Sequence, residues 1–454
     1  MSEWKEAISG EVLDLISGYA FKSKDFKEVP DEDDLPVIKI KNVANGDVNF
    51  ESVVYHHVSE KLAKYILEKG DILIAMTGNH PHAMTQVVGD VSRYKLAKKG
   101  LLNQRVGKLV AKDDNCLDFF YYYFKYEDNR NYLANQSSGS ANQANISKGD
   151  ILGIPMIIPE PEEQKAIAEV LSSLDDKIDL LHRQNQTLEQ MAETLFRQWF
   201  VEAIQKIEFE GNSVEGFHLD KFTKWIEGTL GGEWGKENPQ GDYTKQVYCI
   251  RGTDLADLNT GLPLKIPTRF VKENKFKKIK PEEGDLIIEI SGGTETQSTG
   301  RVTYINPDVE NLFDLPLIFS NFCRMIKVKK PQFSFFIYCY IKYLYNQDEF
   351  FNLENGSSGI KNLDYKALLL ELDYPMPEEE TVLKFHEAVE PLFEKINKNK
   401  TQIRTLTALR DTLLPKLMSG EIRLNYDSDD FYDSFDSKNH SSNQDNPIIQ
   451  SSDK

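Results

Sequence analysis

The sequence predicts an α+β protein in which two related domains are separated by two long helices that pair as an antiparallel coiled coil. Three observations support this prediction: short motifs recur in the same order in both halves, two long segments carry heptads of apolar residues, and the last residues are acidic and poor in apolar side chains. We therefore expect domains at residues 1–160 and 206–377, helical segments at 161–205 and 378–420, and a disordered tail at 421–454.

Length and composition place the chain among globular proteins. Its 454 residues suffice for several domains at ~100 to 200 residues each, and the 40% of hydrophobic and 28% of charged residues are ordinary values. No apolar run approaches the ~18 residues of a membrane helix, and acidic residues stand where a signal peptide would be basic. We expect a cytoplasmic location and no membrane contact.

The internal repeat has a period of about 216 residues, which is too long for a solenoid and indicates a duplicated domain with its connector. EKGDILIAMTG at 68 matches EEGDLIIEISG at 282, and IPEPEEQ at 158 matches YPMPEEE at 374. Between them, SSG at 137 followed by Asn145-Ile146 matches SSG at 357 followed by Asn362-Leu363. The shared order of these matches is the informative feature.

A heptad repeat of apolar residues, called a seam below, follows each Pro-x-Pro-Glu-Glu motif. Such a repeat is the signature of a coiled coil. One Asn interrupts each seam, Asn185 in the first and Asn399 in the second. If these residues face each other in an antiparallel pair, each seam position from 167 to 199 meets a seam position of the second helix. Pro391 is expected to kink the second helix or to end a short helix before it, and Pro415 to bend its last turn.

The net charge of −18 argues at first sight against nucleic-acid binding, because phosphates attract Lys and Arg. More than half of the excess lies in the first helical segment and the tail, so both large domains are near neutral. Either domain can still carry a basic face.

Four strings in the chain resemble a known family. PEPEEQKAIAEVLSSLDDKIDLLHRQNQTLEQMAETLFRQWF and TALRDTLLPKLMSGEIRL are similar to the two conserved helical regions of type I restriction-modification specificity subunits. ISGYAFKSKDF and GTLGGEWGK resemble the openings of that family's target recognition domains. The resemblance covers residues 1 to about 424, and one departure is Glu380, where the usual residue is Gln as at Gln164.

This resemblance implies a function and a set of partners. Residues 1–160 and 206–377 would be target recognition domains that each read half of a bipartite site in double-stranded DNA, and the helices would be conserved spacers. Two methyltransferase subunits would bind S-adenosylmethionine, and restriction subunits would bind ATP and Mg. This chain would bind no cofactor itself.

Motifs for catalysis are missing from the sequence. It contains no GxxxxGK[ST] loop, no Asn-Pro-Pro or Asp-Pro-Pro aromatic tetrapeptide and no HExxH, so we expect a non-catalytic subunit. Metal sites are not expected either, because His56, His57, His80 and His82 lack Cys partners and helical spacing. The cysteines lie far apart without any CxxC pair, which favours small core residues; they are Cys116, Cys249, Cys323 and Cys339.

Candidate DNA contacts are the basic residues that bind phosphates and the polar residues that read base edges, where they recur at matching points of the repeat. In the first domain they are Thr77, Asn79, Gln86, Arg93, Lys95, Lys98, Lys99, Ser138, Asn142 and Gln143. In the second they are Lys272, Lys275, Lys277, Lys278, Thr294, Thr296, Gln297, Arg301, Ser358, Lys361 and Asn362.

A second hypothesis is a non-catalytic coiled-coil scaffold that joins two protein-binding domains. The charge of −18 lends it some support. The scaffold does not require matched polar and basic loops in both domains, whereas a DNA reader does.

Overall fold

A computed structural model describes residues 4–43, 46–79, 87–140, 143–211, 213–261, 266–294, 297–311, 313–356 and 360–424. The chain divides into two compact units. The first comprises the chain up to Leu174 and the segment from Arg410 onward, and the second comprises Asp175–Leu409. Each long helix therefore contributes residues to both units.

The first unit contains two four-stranded sheets, ordered β2-β10-β6-β8 and β4-β3-β9-β5, a three-stranded sheet β11-β12-β7 and the pair β1-β13. Its strands are β1 Lys5–Ile8, β2 Leu13–Ser17, β3 Asp34–Ile38, β4 Val54–His57, β5 Ile66–Leu67, β6 Ile72–Ala75, β7 Thr77–Gly78, β8 Val91–Arg93, β9 Gly100–Leu102, β10 Val106–Ala111, β11 Ser138–Ser140, β12 Gln143–Asn145 and β13 Pro155–Ile158. Strand β6 lies between two cores, because Ile72 and Ile74 enter one cluster of apolar side chains and Leu73 and Ala75 enter another.

Helices cover the sheets of the first unit. They are α1 Ser9–Val12, α2 Leu117–Lys125, α3 Glu127–Asn135, α4 Lys148–Leu152 and the start of α5 Pro161–Phe196. The aromatic run of α2 is buried from Phe119 to Phe124, which explains its composition. Helix α4 begins with a capping box, in which Ser147 accepts a hydrogen bond from the Asp150 amide and Asp150 accepts one from the Ser147 amide.

The second unit repeats this topology except that the counterpart of the sheet β4-β3-β9-β5 has three described strands. Its sheets are ordered β15-β22-β18-β20, β17-β16-β21 and β19-β24-β23, with the pair β14-β25. Its strands are β14 Phe217–Asp220, β15 Ile226–Gly231, β16 Tyr243–Ile250, β17 Thr268–Lys272, β18 Leu286–Glu289, β19 Ser291–Gly292, β20 Val302–Tyr304, β21 Leu317–Phe319, β22 Cys323–Val328, β23 Glu354–Asn355, β24 Lys361–Leu363 and β25 Tyr374–Pro377. Its helices are α6 Glu202–Glu210, α7 Asp254–Thr260, α8 Glu273–Ile279, α9 Pro307–Glu310, α10 Ser334–Asn346 and α11 Glu379–Met418. The duplication predicted from the motifs is thus present in the strand order.

Short 3-10 turns and two π-helical turns complete the described elements. The 3-10 turns are Ser23–Asp25, Ile40–Asn42, Glu60–Tyr65, Phe222–Lys224, Pro331–Phe333 and Glu349–Leu353, and the π turns are Arg197–Val201 and Ala367–Glu371. The π turn Arg197–Val201 joins α5 to α6 without a break in the helical path.

The two long helices pair antiparallel in the predicted register. Within the second unit, Nδ2 of Asn399 donates a hydrogen bond of 2.9 Å to Oδ1 of Asn185. Ile178 and Leu181 share a buried cluster with Ile403 and Leu406, and the rings of Trp199 and Phe385 lie 6.0 Å apart. Within the first unit, Ile167 and Leu171 pack in one core with Leu414 and Leu417. The Asn pairing predicted from the seams is confirmed.

One helical prediction requires correction, and the structure excludes one of the two alternatives for another. The first helical segment continues beyond residue 205 to Glu210 because Phe200 and Ile204 are fully buried, and it ends at Gly211, whose φ of 68° is left-handed. Of the two alternatives for Pro391, the structure excludes a short helix ending before it. The helix Glu379–Met418 continues through this exposed proline, since Val389 and Phe393 on either side anchor the chain in the core.

The predicted start of the tail at residue 421 is also wrong. Residues 421–424, which the sequence assigned to it, belong to the folded part because Ile422 and Leu424 pack against the core of the first unit. Arg423 makes two hydrogen bonds of 2.6 Å to the buried carboxylate of Glu163. The predicted disorder of residues 425–454 lies outside the described residues.

The contrast between Gln164 and Glu380 has a structural explanation. Gln164 is fully buried; its Nε2 donates to the Asn115 side chain and the Pro159 carbonyl, and its Oε1 accepts from the Cys116 amide. Glu380 is exposed and pairs with Lys384 one turn along its helix. A carboxylate is tolerated at 380 because it remains solvated.

Replacing Asn185 by Leu should leave the helices folded but relax their register. The Asn399 amide would lose its buried partner, which costs about 1–3 kcal/mol. The double variant Asn185→Leu/Asn399→Leu should recover this loss without restoring the single register. Urea denaturation measures the stability, and disulfide capture between cysteines at 188 and 396 measures the register. If the double variant forms the disulfide between positions 188 and 396 as efficiently as the unchanged pair of helices, and forms no other cross-link, then the Asn pair does not select the register.

Stability should rise with pH through the titration of Lys400, which is buried in the second unit beside the Tyr304 ring. Burial lowers the pKa of Lys400 to about 8. Between about pH 8 and the ordinary value of 10.5, the folded state is neutral there while the unfolded state holds the proton. Unfolding then takes up a proton, so the free energy of unfolding increases with pH over that interval by up to about 3 kcal/mol.

Lys400→Met should remove this contribution and stabilise the protein near neutral pH. Lys398→Met is the matched control, because Lys398 lies on the same helix, is exposed and pairs with Glu394. Urea denaturation between pH 7 and 10 compares the variants with the unchanged chain. If the free energy of unfolding depends on pH in the same way in Lys400→Met and in the unchanged chain, the pKa of Lys400 is not lowered in the folded protein.

Candidate nucleic-acid interface

A small polar sheet in the first unit carries several of the predicted contacts. Strands β11, β12 and β7 form it, and Thr77 lies directly opposite Asn145. Oγ1 of Thr77 donates a hydrogen bond of 2.7 Å to Oδ1 of Asn145, which also accepts one of 3.2 Å from Nη1 of Arg105. Ala144 and Ile146 on either side enter the core, so strand alternation leaves the Asn145 amide at the outer face.

The second unit has the same arrangement. Ser291 lies opposite Asn362 in the sheet of β19, β24 and β23, and its hydroxyl donates to Oδ1 of Asn362. The backbone repeats as well. The Met76 carbonyl accepts a hydrogen bond from the Ile146 amide, and the Met76 amide donates to the Arg105 carbonyl. In the same way, the Ile290 carbonyl accepts from the Leu363 amide, and the Ile290 amide donates to the Phe322 carbonyl. Corresponding residues of the repeat therefore occupy corresponding places.

The structure groups the polar candidates around these sheets. Thr77, Ser138 and Gln143 lie in the sheet of the first unit, and Asn79 follows β7 directly. Lys361 and Asn362 lie in β24 of the second unit. Thr294 and Gln297 follow β19, and the Gln297 amide donates a hydrogen bond of 3.0 Å to Oγ1 of Thr294.

The lysine candidates lie on other elements. Lys95, Lys98 and Lys99 occupy the loop between β8 and β9, where Lys95 pairs with Asp47, Lys99 pairs with Glu68 and Lys98 lies over Tyr55. In the second unit, Lys272 ends β17, and Lys275, Lys277 and Lys278 lie on α8, which packs on β16 and β17. Since neighbouring carboxylates neutralise several of these charges, a uniform basic face does not follow from the lysine clusters.

Arg93 and Arg301 have partners within the protein, and their assignment as DNA contacts stays a prediction. Arg93 stacks on Tyr121 and Tyr122 and pairs with Asp118 at 2.9 Å, with only 11% of its side chain exposed. Arg301 makes two hydrogen bonds, of 2.9 and 2.7 Å, to the buried carboxylate of Glu289. This bidentate contact keeps the pKa of Arg301 above its usual value despite burial.

Glu289 also explains two glycines, Gly252 and Gly292. A Cβ at Gly252 or at Gly292 would lie 2.4 Å from Oε1 of Glu289. Both glycines therefore make room for the buried ion pair.

Some predicted residues cannot be placed. Gln86, Asn142, Thr296 and Ser358 lie outside the described residues, as do His80 and His82. For Ser138 and Gln143, the description is limited to the backbone.

Sequence reasoning missed two residues of the polar sheets. Asn145 matches Asn362 in the repeat, and that match could have identified it. Arg105 has Phe322 at the corresponding backbone position, so the repeat contains no signal for it.

The described residues contain little that is typical of catalysis. No group of three or more His, Cys, Asp or Glu side chains among them could hold a metal ion. Burial raises the pKa of Cys249, Cys323 and Cys339 to about 12, which keeps these thiols protonated at neutral pH. In the same part of the chain, every helix is too short or too polar to cross a bilayer.

Comparison with known proteins places the chain in a family. Residues 1–190 match the family model of the type I restriction modification DNA specificity domain. The chain is 30% identical over 407 residues to the type I restriction enzyme MjaIX specificity subunit of Methanocaldococcus jannaschii, covering 86% of this chain and 87% of that protein. It is 23% identical to the HindI specificity subunit of Haemophilus influenzae, covering 93% and 100%. The chain belongs to the family of type I restriction enzyme specificity subunits.

A solved structure supports the fold. The crystal structure of the type I restriction-modification S subunit from M. genitalium matches 92% of this chain and 96% of its own length, with a TM-score of 0.53. At 18% sequence identity, this likeness concerns the fold alone.

Replacing Arg301 by Gln should destabilise the second unit by about 3 kcal/mol, because the buried carboxylate of Glu289 would lose its counter-charge. Lys278→Gln is the matched control, since it removes the same charge from an exposed position on α8. Urea denaturation measures both. A stable Arg301→Gln protein that binds DNA weakly would instead show that Arg301 is a DNA contact.

Proposed function

We propose that this chain reads a bipartite target in double-stranded DNA, with one half-site for each domain, on behalf of a type I restriction-modification complex. The observation that carries this proposal is the duplicated polar sheet, in which Thr77 and Asn145 correspond to Ser291 and Asn362. Hydroxyl and amide groups at the outer face of a small sheet are suited to contact phosphates and base edges.

The chain acts as a non-catalytic subunit in this proposal. Two methyltransferase subunits supply S-adenosylmethionine and the methyl-transfer chemistry, and restriction subunits supply the sites for ATP and Mg. Membership in the specificity-subunit family and the lack of a methyltransferase tetrapeptide in the sequence support this division of labour. The assembled complex would methylate adenine, whereas the purified chain would not.

The paired helices act as a ruler between the two half-sites. The hydrogen bond between Asn185 and Asn399 supports this role because it selects one register, and one register defines one length. The same helices offer the docking surface for the methyltransferase subunits.

The scaffold hypothesis explains less of the structure. A scaffold requires compact domains and a helical connector, but it does not require the same hydroxyl and amide pair at the outer face of both domains. The charge of −18 also loses force as an argument, because more than half of the excess lies in the first helical segment and the tail rather than in the two domains.

Exchange of residues 1–158 for the matching domain of a relative tests the proposal. One half of the bipartite site should change while the other half and the spacer stay the same, because each domain reads its own half. The readout is single-molecule sequencing of methylated adenines in cells that also express the methyltransferase subunit. If the unchanged chain gives no bipartite methylated site, the scaffold hypothesis is favoured. If the domain exchange alters both half-sites, one composite surface must read the whole target.

Insertion of four residues into both long helices at matched seam positions tests the ruler. About one helical turn, or ~6 Å, should lengthen the spacer by about two base pairs at ~3.4 Å each. The two half-sites should keep their sequences, since base edges are read by the domains. A changed base preference with a constant spacer would contradict the ruler.

A further inference from the structure

The two hydroxyl and amide pairs hold their Asn side chains in a defined orientation. In the first unit, Arg105 and Thr77 both donate to the same oxygen of Asn145. Because a guanidinium can only donate, the atom that faces Arg105 is the amide oxygen, and Nδ2 is the other atom. In the second unit, the Ser291 hydroxyl donates to Oδ1 of Asn362, and the match of Asn362 to Asn145 in the repeat supports the same orientation.

This orientation leaves the donor side of each amide available. Asn145 is half-buried and Asn362 is exposed, and within the described residues neither Nδ2 atom has a hydrogen-bond partner. A fixed amide with a free N–H is arranged to meet an acceptor on a ligand. Arg105, which is exposed, adds a positive charge beside Asn145, and this charge favours an anionic acceptor.

The repetition indicates which part of DNA is contacted. The two domains serve different half-sites, so a device that both domains share is suited to a feature that all half-sites share. The phosphate backbone is such a feature, because it carries no sequence information and fixes the register of a protein on the duplex. We propose that Asn145 and Asn362 each donate an Nδ2 hydrogen bond to a DNA phosphate, as positioning residues of the two domains.

This inference rests on the proposed function and adds two named contacts to it. Each Asn positions its domain on the backbone of one half-site, and the surrounding loops then read the bases. Arg105 contributes a further cation in the first unit, whereas the corresponding Phe322 cannot do so in the second. The first half-site contact should therefore depend more strongly on salt concentration.

Asn145→Asp is the decisive variant. Its carboxylate preserves the acceptor for Thr77 and gains an ion pair with Arg105, so the local fold should be retained. The donor is replaced by a negative oxygen that repels phosphate, and affinity for the target duplex should fall about tenfold or more. Asn362→Asp should have the same effect through the other half-site. Asn131→Asp is the control, because it adds the same charge at an exposed position on α3.

A methylphosphonate scan locates the contacts. The chain is assembled with its methyltransferase partner and bound to target duplexes in which one phosphate at a time is made neutral. The unchanged complex should lose affinity at one particular phosphate in each half-site. Asn145→Asp should abolish the sensitivity at one of these phosphates alone, and Asn362→Asp should abolish it at the other.

Several outcomes would overturn the inference. Binding by Asn145→Asp within twofold of the unchanged complex would exclude the contact, and so would equal losses for Asn131→Asp. A changed preference at one base pair, with the phosphate sensitivity intact, would place the amide on a base edge. A complex that recognises no bipartite site at all would refute the proposed function instead, before the phosphates are scanned.

Discussion

The hydrogen bond between Asn399 and Asn185 is the constraint on which the helical part of the protein depends. Leucine and isoleucine seams can slide by one heptad and still bury apolar surface, so they do not select a register by themselves. Two buried amides that meet at one position make every other register costly. Nδ2 of Asn185 and Oδ1 of Asn399 lack partners within the described residues, so specificity is obtained at some expense of stability.

Duplication gives both domains the same frame but not the same surroundings. The strand order, the backbone bonds of Met76 and Ile290, and the hydroxyl and amide pairs all recur. The neighbouring residues differ, as Arg105 and Phe322 show. A common frame with variable surroundings is consistent with the proposed function, in which two domains bind the same DNA backbone and distinguish different bases.

Several charged side chains of the domains form ion pairs or ring contacts within the fold. Arg301 neutralises a glutamate that would otherwise be buried alone, and Arg93 is held between aromatic rings and Asp118. Such residues stabilise the domain that carries them. The near-neutral charge of each domain is therefore a poor guide to how it would bind DNA, and placement of individual groups is more informative.

The sequence by itself determined the features that repeat along the chain. Heptads, matched motifs and a single Asn in each seam are periodic, and periodic patterns are visible without knowledge of distant contacts. Only the tertiary structure decided the partners of individual polar groups. Asn145 meets Arg105 across 40 residues, and Arg423 meets Glu163 across 260. Such contacts depend on how the chain folds back on itself, and the side chains that make them have no spacing that distinguishes them from solvated neighbours.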